Sequence, residues 1–218
     1  GVAGGAAGEI APQQEPRSRM PDRPQQSPEP CQAIARSLTA GEFGALIKAL
    51  ADSGRVLAPR CFAGRGRFSD TDVIRYGEVS GAEEIEFSRK SDFSAKEALL
   101  PVQETLLALE GQHAREPVQD GRPIYLFLRA CDIHAIDRLD GIFLRNGPEP
   151  DVYYLRRRRR VRPILMECAH SFENCFCVSM GTNRADDYSM AVRPDGQGGA
   201  ELRVCDGAIA GLLPRSAR

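Results

Sequence analysis

Four cysteines lie close together in the second half of the sequence, and their spacing would allow them to ligate a metal. They are Cys131, Cys168, Cys175 and Cys177. Four thiolates that converge on one centre suit either a [4Fe–4S] cluster or a zinc ion. The spacing departs both from the cysteine pairs of structural zinc sites and from the ferredoxin run. A third interpretation stays open, in which Cys131 and Cys168 are small core residues and the other two form a chance pair.

The predicted elements around these cysteines indicate how they would converge. Residues 123–129 form a continuous apolar run typical of a buried parallel strand, and Cys131 follows at the start of a predicted helix. Residues 161–166 repeat the pattern, and Cys168 follows them. Neighbouring parallel strands point the same way, so residues beyond their carboxyl ends lie side by side, at the edge where open α/β sheets bind ligands. The remaining two cysteines would return to this edge on a short loop.

The rest of the sequence predicts a mixture of helices and strands. One helix is expected from an N-cap at Thr39 to Gly54, and a longer one from Ser94 toward Glu110, with a break at Pro101. Four further strands are expected, the last two as an antiparallel pair: residues 55–59, 73–79, 186–194 and 201–205. The predicted fold class is therefore α/β, with a small parallel sheet, flanking helices and an antiparallel hairpin.

The domain organisation follows from shifts in composition. Residues 1–38 are rich in proline and glutamine and contain no aromatic residue, so we expect a disordered tail in which Cys31 takes no part in the site. Residues 39–205 form the predicted α/β domain. Residues 206–218 give no convincing end to a domain and are interpreted as a truncated or divergent C-terminal end. The first residue is Gly1 rather than Met, which we interpret as a fragment or a processed chain.

Charge, hydropathy and cysteine count exclude several classes of protein. The formal net charge of −1 does not favour a nucleic-acid-binding domain. No stretch approaches the roughly 20 apolar residues that span a bilayer, and no charged segment leads into an apolar one as in a secretory signal. Seven cysteines is an odd number for a disulfide scaffold. We therefore expect a cytoplasmic protein with reduced thiols.

Four segments of the sequence resemble a known family. They are GRFSDTD at 66–72, SDFSAKEALLPVQETL at 91–106, LRACDIHAIDRLDGIFLRNG at 128–147 and LMECAHSFENCFCVSMGTNRADDYS at 165–189. Together they resemble the electron-transfer component of anaerobic sulfite reductase and, more loosely, the beta subunit of sulfhydrogenases. The resemblance covers about residues 38–204, and its block at 174–183 is highly specific. The four cysteines fall on the motif of that family.

The resemblance implies that the chain passes electrons within a multi-subunit sulfite reductase and is not catalytic alone. It implies two partners, of which one contains flavin and oxidises NADH, while the other contains sirohaem and is catalytic. Family members continue into a C-terminal domain with two ferredoxin-type motifs of four cysteines each, and this sequence has neither. Two alternatives remain: an electron-relay subunit of a hydrogenase-type complex, and a non-redox scaffold or zinc-binding interaction module.

Overall fold

A seven-stranded mixed sheet forms the centre of the molecule. The computed structural model describes residues 34–68, 70–111, 113–118 and 120–215. The strands of the sheet, in chain order, are β1 (Ile34–Leu38), β2 (Arg55–Phe62), β3 (Val73–Glu78), β6 (Ile124–Leu128), β7 (Val161–Met166), β8 (Met190–Pro194) and β9 (Ala200–Val204), while β4 (Ala108–Glu110) and β5 (His113–Arg115) form a separate antiparallel pair. The spatial order in the sheet is β1-β9-β8-β7-β6-β2-β3. These strands confirm the predicted α/β class.

The four central strands, β2, β6, β7 and β8, run parallel to one another. All five residues of β6 are buried, because helices cover both faces of the sheet at this point. Leu126 and Leu128 pack into the core on one face, whereas Tyr125 and Phe127 pack into the core on the other. This burial on both faces explains why the sequence of β6 is apolar without alternation.

In the part of the chain that the structure describes, four α-helices pack on the sheet, two on each face. They are α1 (Ala40–Ser53), α2 (Ala130–Leu144), α3 (Val152–Arg158) and α4 (Gly207–Ala210). Helices α1 and α4 contribute to one core, and α2 and α3 contribute to the other. Helix α1 begins as predicted, because the Thr39 hydroxyl accepts from the Glu42 backbone and the Glu42 carboxylate accepts from the Thr39 backbone. Among the described residues, no helix combines the length and apolarity that a bilayer crossing requires.

The folded unit includes residues on both sides of the predicted domain at 39–205. Residues 34–38 were expected in the tail, but they form edge strand β1, which pairs antiparallel with β9. The prediction for residues 1–33 falls outside the described residues. Near the other end, α4 buries Ile209 against the sheet, and Leu212 and Leu213 pack against the same core. Residues 207–213 therefore belong to the folded unit.

The predicted helix from Ser94 toward Glu110 is wrong in its length and type, although the expected break falls where no helix continues. Ser94 caps only a short 3-10 helix, Ala95–Ala98, which ends before Pro101. The last part of the predicted helix, Ala108–Glu110, is strand β4. Proline has no backbone N–H and disrupts the interior of a helix, so the segment cannot continue as one helix through this position.

The predicted hairpin is confirmed in its pairing and corrected in its position. Strands β8 and β9 pair antiparallel, with Met190 opposite Val204. Strand β8 begins at Met190 rather than near residue 186, and it also pairs parallel with β7. The hairpin therefore extends the main sheet instead of forming an appendage.

Candidate metal centre

Cys131 lies just beyond the carboxyl end of β6. The strand ends at Leu128, Arg129 is the N-cap of α2, and Cys131 is the second residue of that helix. The first helical turn is closed by a hydrogen bond from the Arg129 backbone N–H to Oδ2 of Asp132, at 3.3 Å. The chain thus passes directly from a buried strand into a helix, which fixes the position of Cys131 at the sheet edge.

The other three cysteines come from residues 167–189, which connect β7 to β8. Cys168 lies two residues after the last residue of β7. A turn closed by a hydrogen bond from the Cys175 N–H to the Phe172 carbonyl, at 3.2 Å, reverses the chain. Asn174 within this turn has a positive φ of 62°. The Cys177 carbonyl then accepts from the Thr182 N–H at 2.8 Å, which closes the loop behind the cysteine pair.

All four cysteines line one cavity at the carboxyl edge of the parallel strands. The cavity has a volume of about 320 Å³ and is also lined by Tyr76, Lys90, Arg129 and Asp132. The expected convergence of strand ends therefore brings the thiols to a single space. Their role as ligands stays a prediction, since convergence alone does not identify what the cavity holds.

The chemistry of the donor set, four thiols, fits both a cluster and a zinc ion. Among the residues that the structure describes, no three His, Cys, Asp or Glu side chains stand close enough together to hold one metal ion. A zinc site needs all four sulfurs about 2.3 Å from the same atom. In a cluster each thiolate binds a different iron, so the sulfurs stand further apart around a larger volume.

The electrostatic surroundings keep Cys131 protonated when no metal is bound. Although the residue as a whole is exposed, it lines the cavity, and the pKa of its thiol is raised to about 11. Burial is the largest cause, the negative charges of Asp132, Cys177 and Cys168 contribute to the rise, and Lys90 opposes it. A metal binds the thiolate, so its binding would release a proton from Cys131.

Arg129 is a residue of the site that the sequence analysis did not identify. Its Nη1 donates a hydrogen bond to Cys168 Sγ at 3.5 Å, and the residue is buried. Lys90 and Tyr76 also line the cavity, and burial, followed by the negative charge of Asp132, raises the pKa of Tyr76 well above its usual value. The sequence did contain an indication of this role. Arg129 directly follows a buried apolar strand, and a charged side chain in such a position needs a polar partner.

The remaining cysteines do not line this cavity within the described part of the chain. Cys61 lies near the carboxyl end of β2, and its thiol donates a hydrogen bond to Asp72 Oδ2 at 3.5 Å. Cys205 is disulfide-bonded and therefore offers no thiolate. Cys31 lies outside the described residues. Near the cavity, His134 uses its Nε2 in a hydrogen bond with the Arg184 carbonyl at 2.7 Å, so that nitrogen already has a partner.

Comparison with known proteins gives one informative similarity. Over 146 residues, which are 66% of this chain, the sequence is 27% identical to the sulfhydrogenase 2 subunit beta of Pyrococcus furiosus. The alignment covers 40% of that protein, so the chain matches less than half the length of this relative. No protein-family model matches the chain, and no solved structure matches it. The similarity supports the looser of the two resemblances, that to the beta subunit of sulfhydrogenases.

Proposed function

We propose that this chain is an electron-transfer subunit that binds one [4Fe–4S] cluster through Cys131, Cys168, Cys175 and Cys177. The observation that supports this most strongly is that four thiols line one cavity, one from the start of α2 after β6 and three from the connection after β7. Thiolates are the ligands of such clusters. When bound, the cluster would accept and release single electrons. The protein supplies the position, the shielding from water and the local charge.

Two observations each favour one kind of complex to which the subunit could belong. The sequence motifs at 66–72 and 165–189 favour the electron-transfer component of a cytoplasmic anaerobic sulfite reductase, which passes electrons from a flavin subunit to a sirohaem subunit. The similarity to a sulfhydrogenase beta subunit favours a hydrogenase-type complex. Both are electron-relay roles, and the reduction of the final acceptor belongs to the partner in either case.

A spectroscopic experiment tests the electron-transfer role against the rival scaffold. The chain is purified without oxygen, reconstituted with iron and sulfide, and its visible absorption is recorded before and after addition of dithionite. A broad absorption that bleaches on reduction is expected, with stoichiometric iron and labile sulfide. A colourless protein that binds zinc, or no metal at all, would contradict the proposal and support a scaffold.

The two complexes are distinguished by assaying the assembly that purifies with the tagged chain from its own cell. Oxidation of reduced viologen that depends on sulfite, together with the absorption of sirohaem, would identify a sulfite reductase. Reduction of viologen that depends on hydrogen would identify a hydrogenase-type complex. The isolated chain should show neither activity, because catalysis is assigned to the partner.

A further inference from the structure

The side chain of Arg129 is buried between a loop and the cysteine cavity. Only 7% of this residue is exposed. Its Nη2 donates to the Phe87 carbonyl at 2.7 Å and to the Arg89 carbonyl at 3.4 Å. Its Nη1 donates to Cys168 Sγ at 3.5 Å, and its Cζ lies 4.5 Å from the centroid of the Phe172 ring. One end of the guanidinium is thus fixed by backbone carbonyls, and the other faces a cluster cysteine.

The charge of Arg129 has no carboxylate partner at close range. Among the described residues, no Asp or Glu forms an ion pair with its guanidinium. Asp132 accepts from the backbone N–H of Arg129 rather than from its side chain. Lys90 lines the same cavity and adds a second cation. The carboxylates of Asp92 and Asp132 line the cavity as well, and Asp132 interacts electrostatically with Arg129 without forming an ion pair. The contact through which Arg129 can stabilise a negative charge on the cysteines is therefore the one from Nη1 to Cys168 Sγ.

We propose that Arg129 is a positioning residue that raises the reduction potential of the centre held by Cys168 and the other three cysteines. This inference rests on the proposed function. A cluster with four thiolate ligands is an anion, and reduction adds one more negative charge. A fixed cation and an N–H···S hydrogen bond stabilise the reduced state more than the oxidised state. Arg129 therefore favours uptake of the electron without taking part in bond making.

The contacts of Arg129 explain why lysine would be an incomplete substitute. A guanidinium presents donors in a rigid planar fork, which here reaches the Phe87 carbonyl and Cys168 Sγ at the same time. Its flat face also lies over Phe172. An ammonium group keeps the charge but cannot hold all these contacts together. We therefore expect a lysine at position 129 to retain part of the effect on the potential.

The test compares three variants at this position with a matched control. Arg129→Met, Arg129→Gln and Arg129→Lys are reconstituted beside the wild type and Arg145→Met, which removes an exposed arginine at the far end of α2. Iron and labile sulfide per chain are measured first. The reduction potential is then measured by titration monitored by visible absorption and electron paramagnetic resonance.

The expected result is a lower potential in Arg129→Met and Arg129→Gln and an intermediate one in Arg129→Lys, with Arg145→Met unchanged. The loss of one charge-assisted hydrogen bond predicts about a tenfold smaller equilibrium constant for reduction, or about 59 mV for a one-electron couple. Unchanged potentials in iron-loaded Arg129 variants would overturn this inference and leave the proposed function intact. Loss of iron from all three would also overturn it, by assigning Arg129 to folding of the site. A wild type without iron would instead overturn the proposed function.

Discussion

The chain leaves β6 and β7 at the same edge of the sheet, but the two connections are built in different ways. After β6, helix α2 begins within two residues and packs Ile133 and Ile136 into the core. After β7, residues 167–189, all of which the structure describes, contain no helix or strand. Connections between parallel strands usually contain a helix, so the second connection is the exceptional one.

The difference is also visible in burial. Phe127 on β6 is completely buried, whereas Phe176 in the second connection is 69% exposed, and Val178 and Met180 beside it are exposed as well. The first connection is therefore positioned by core packing. The second packs Ala185 and Tyr188 against the core, but its cysteine-bearing part is held by backbone turns and by contacts with Arg129. We infer that the proposed cluster, when bound, would stabilise this less buried part of the connection.

A matched pair of phenylalanine variants should show the largest effect of this difference. Phe127→Ala should lower the free energy of unfolding by about 3–5 kcal/mol, because it leaves a cavity in a fully packed core. Phe176→Ala should change it by no more than about 0.5 kcal/mol, because that side chain is mostly in solvent. Urea unfolding of the metal-free chain, followed by circular dichroism, measures both. If both variants lost the same free energy of unfolding, the two connections would not differ in how much core packing stabilises them, and the comparison would be contradicted.

Asn174 provides a smaller and more specific test of the second connection. Its positive φ suits asparagine or glycine, whereas valine is strained there by about 1–2 kcal/mol. With metal bound, Asn174→Val should therefore be less stable by about this amount, and Asn174→Gly should stay close to the wild type. Without metal the loop can relax, so the difference between the two variants should shrink. Calorimetry on loaded and metal-free protein checks this, and a difference that is independent of metal would show that the core, rather than the bound group, fixes the loop.

The strand–helix–strand unit around Cys131 could be predicted because its signals are local. Strand β6 is buried on both faces, so each of its residues is apolar, and the helix that follows shows its own periodicity. The direction of parallel strands then places Cys131 and Cys168 at one edge. This part of the site therefore follows from sequence patterns and general rules of topology.

Two other elements could not be predicted, because distant parts of the chain decide them. Strand β1 is a five-residue edge strand whose only buried residue is Leu38, and its partner β9 lies far along the sequence. Residues 102–110, beyond the break at Pro101, were expected to continue the helix, but Leu107 and Leu109 remain exposed. A helix gains most of its stability by packing an apolar face, which this segment does not do.

The position of Arg129 against Cys168 was also beyond sequence analysis. Its guanidinium is held by carbonyls of Phe87 and Arg89, which belong to a segment without regular secondary structure. No periodic pattern indicates where such a loop will lie. The sequence could show only that an arginine ends a buried strand, and the structure supplies its partners.

The central claim is tested most directly by the iron content of single cysteine variants after anaerobic reconstitution. Cys131→Ser, Cys168→Ser, Cys175→Ser and Cys177→Ser are compared with the wild type and with Cys61→Ser, whose thiol contacts Asp72 rather than the cavity. The account predicts that each of the four loses iron and labile sulfide, while Cys61→Ser retains both at the wild-type level. Full iron in Cys168→Ser and Cys177→Ser, with loss of iron in Cys61→Ser, would contradict the proposed ligand set.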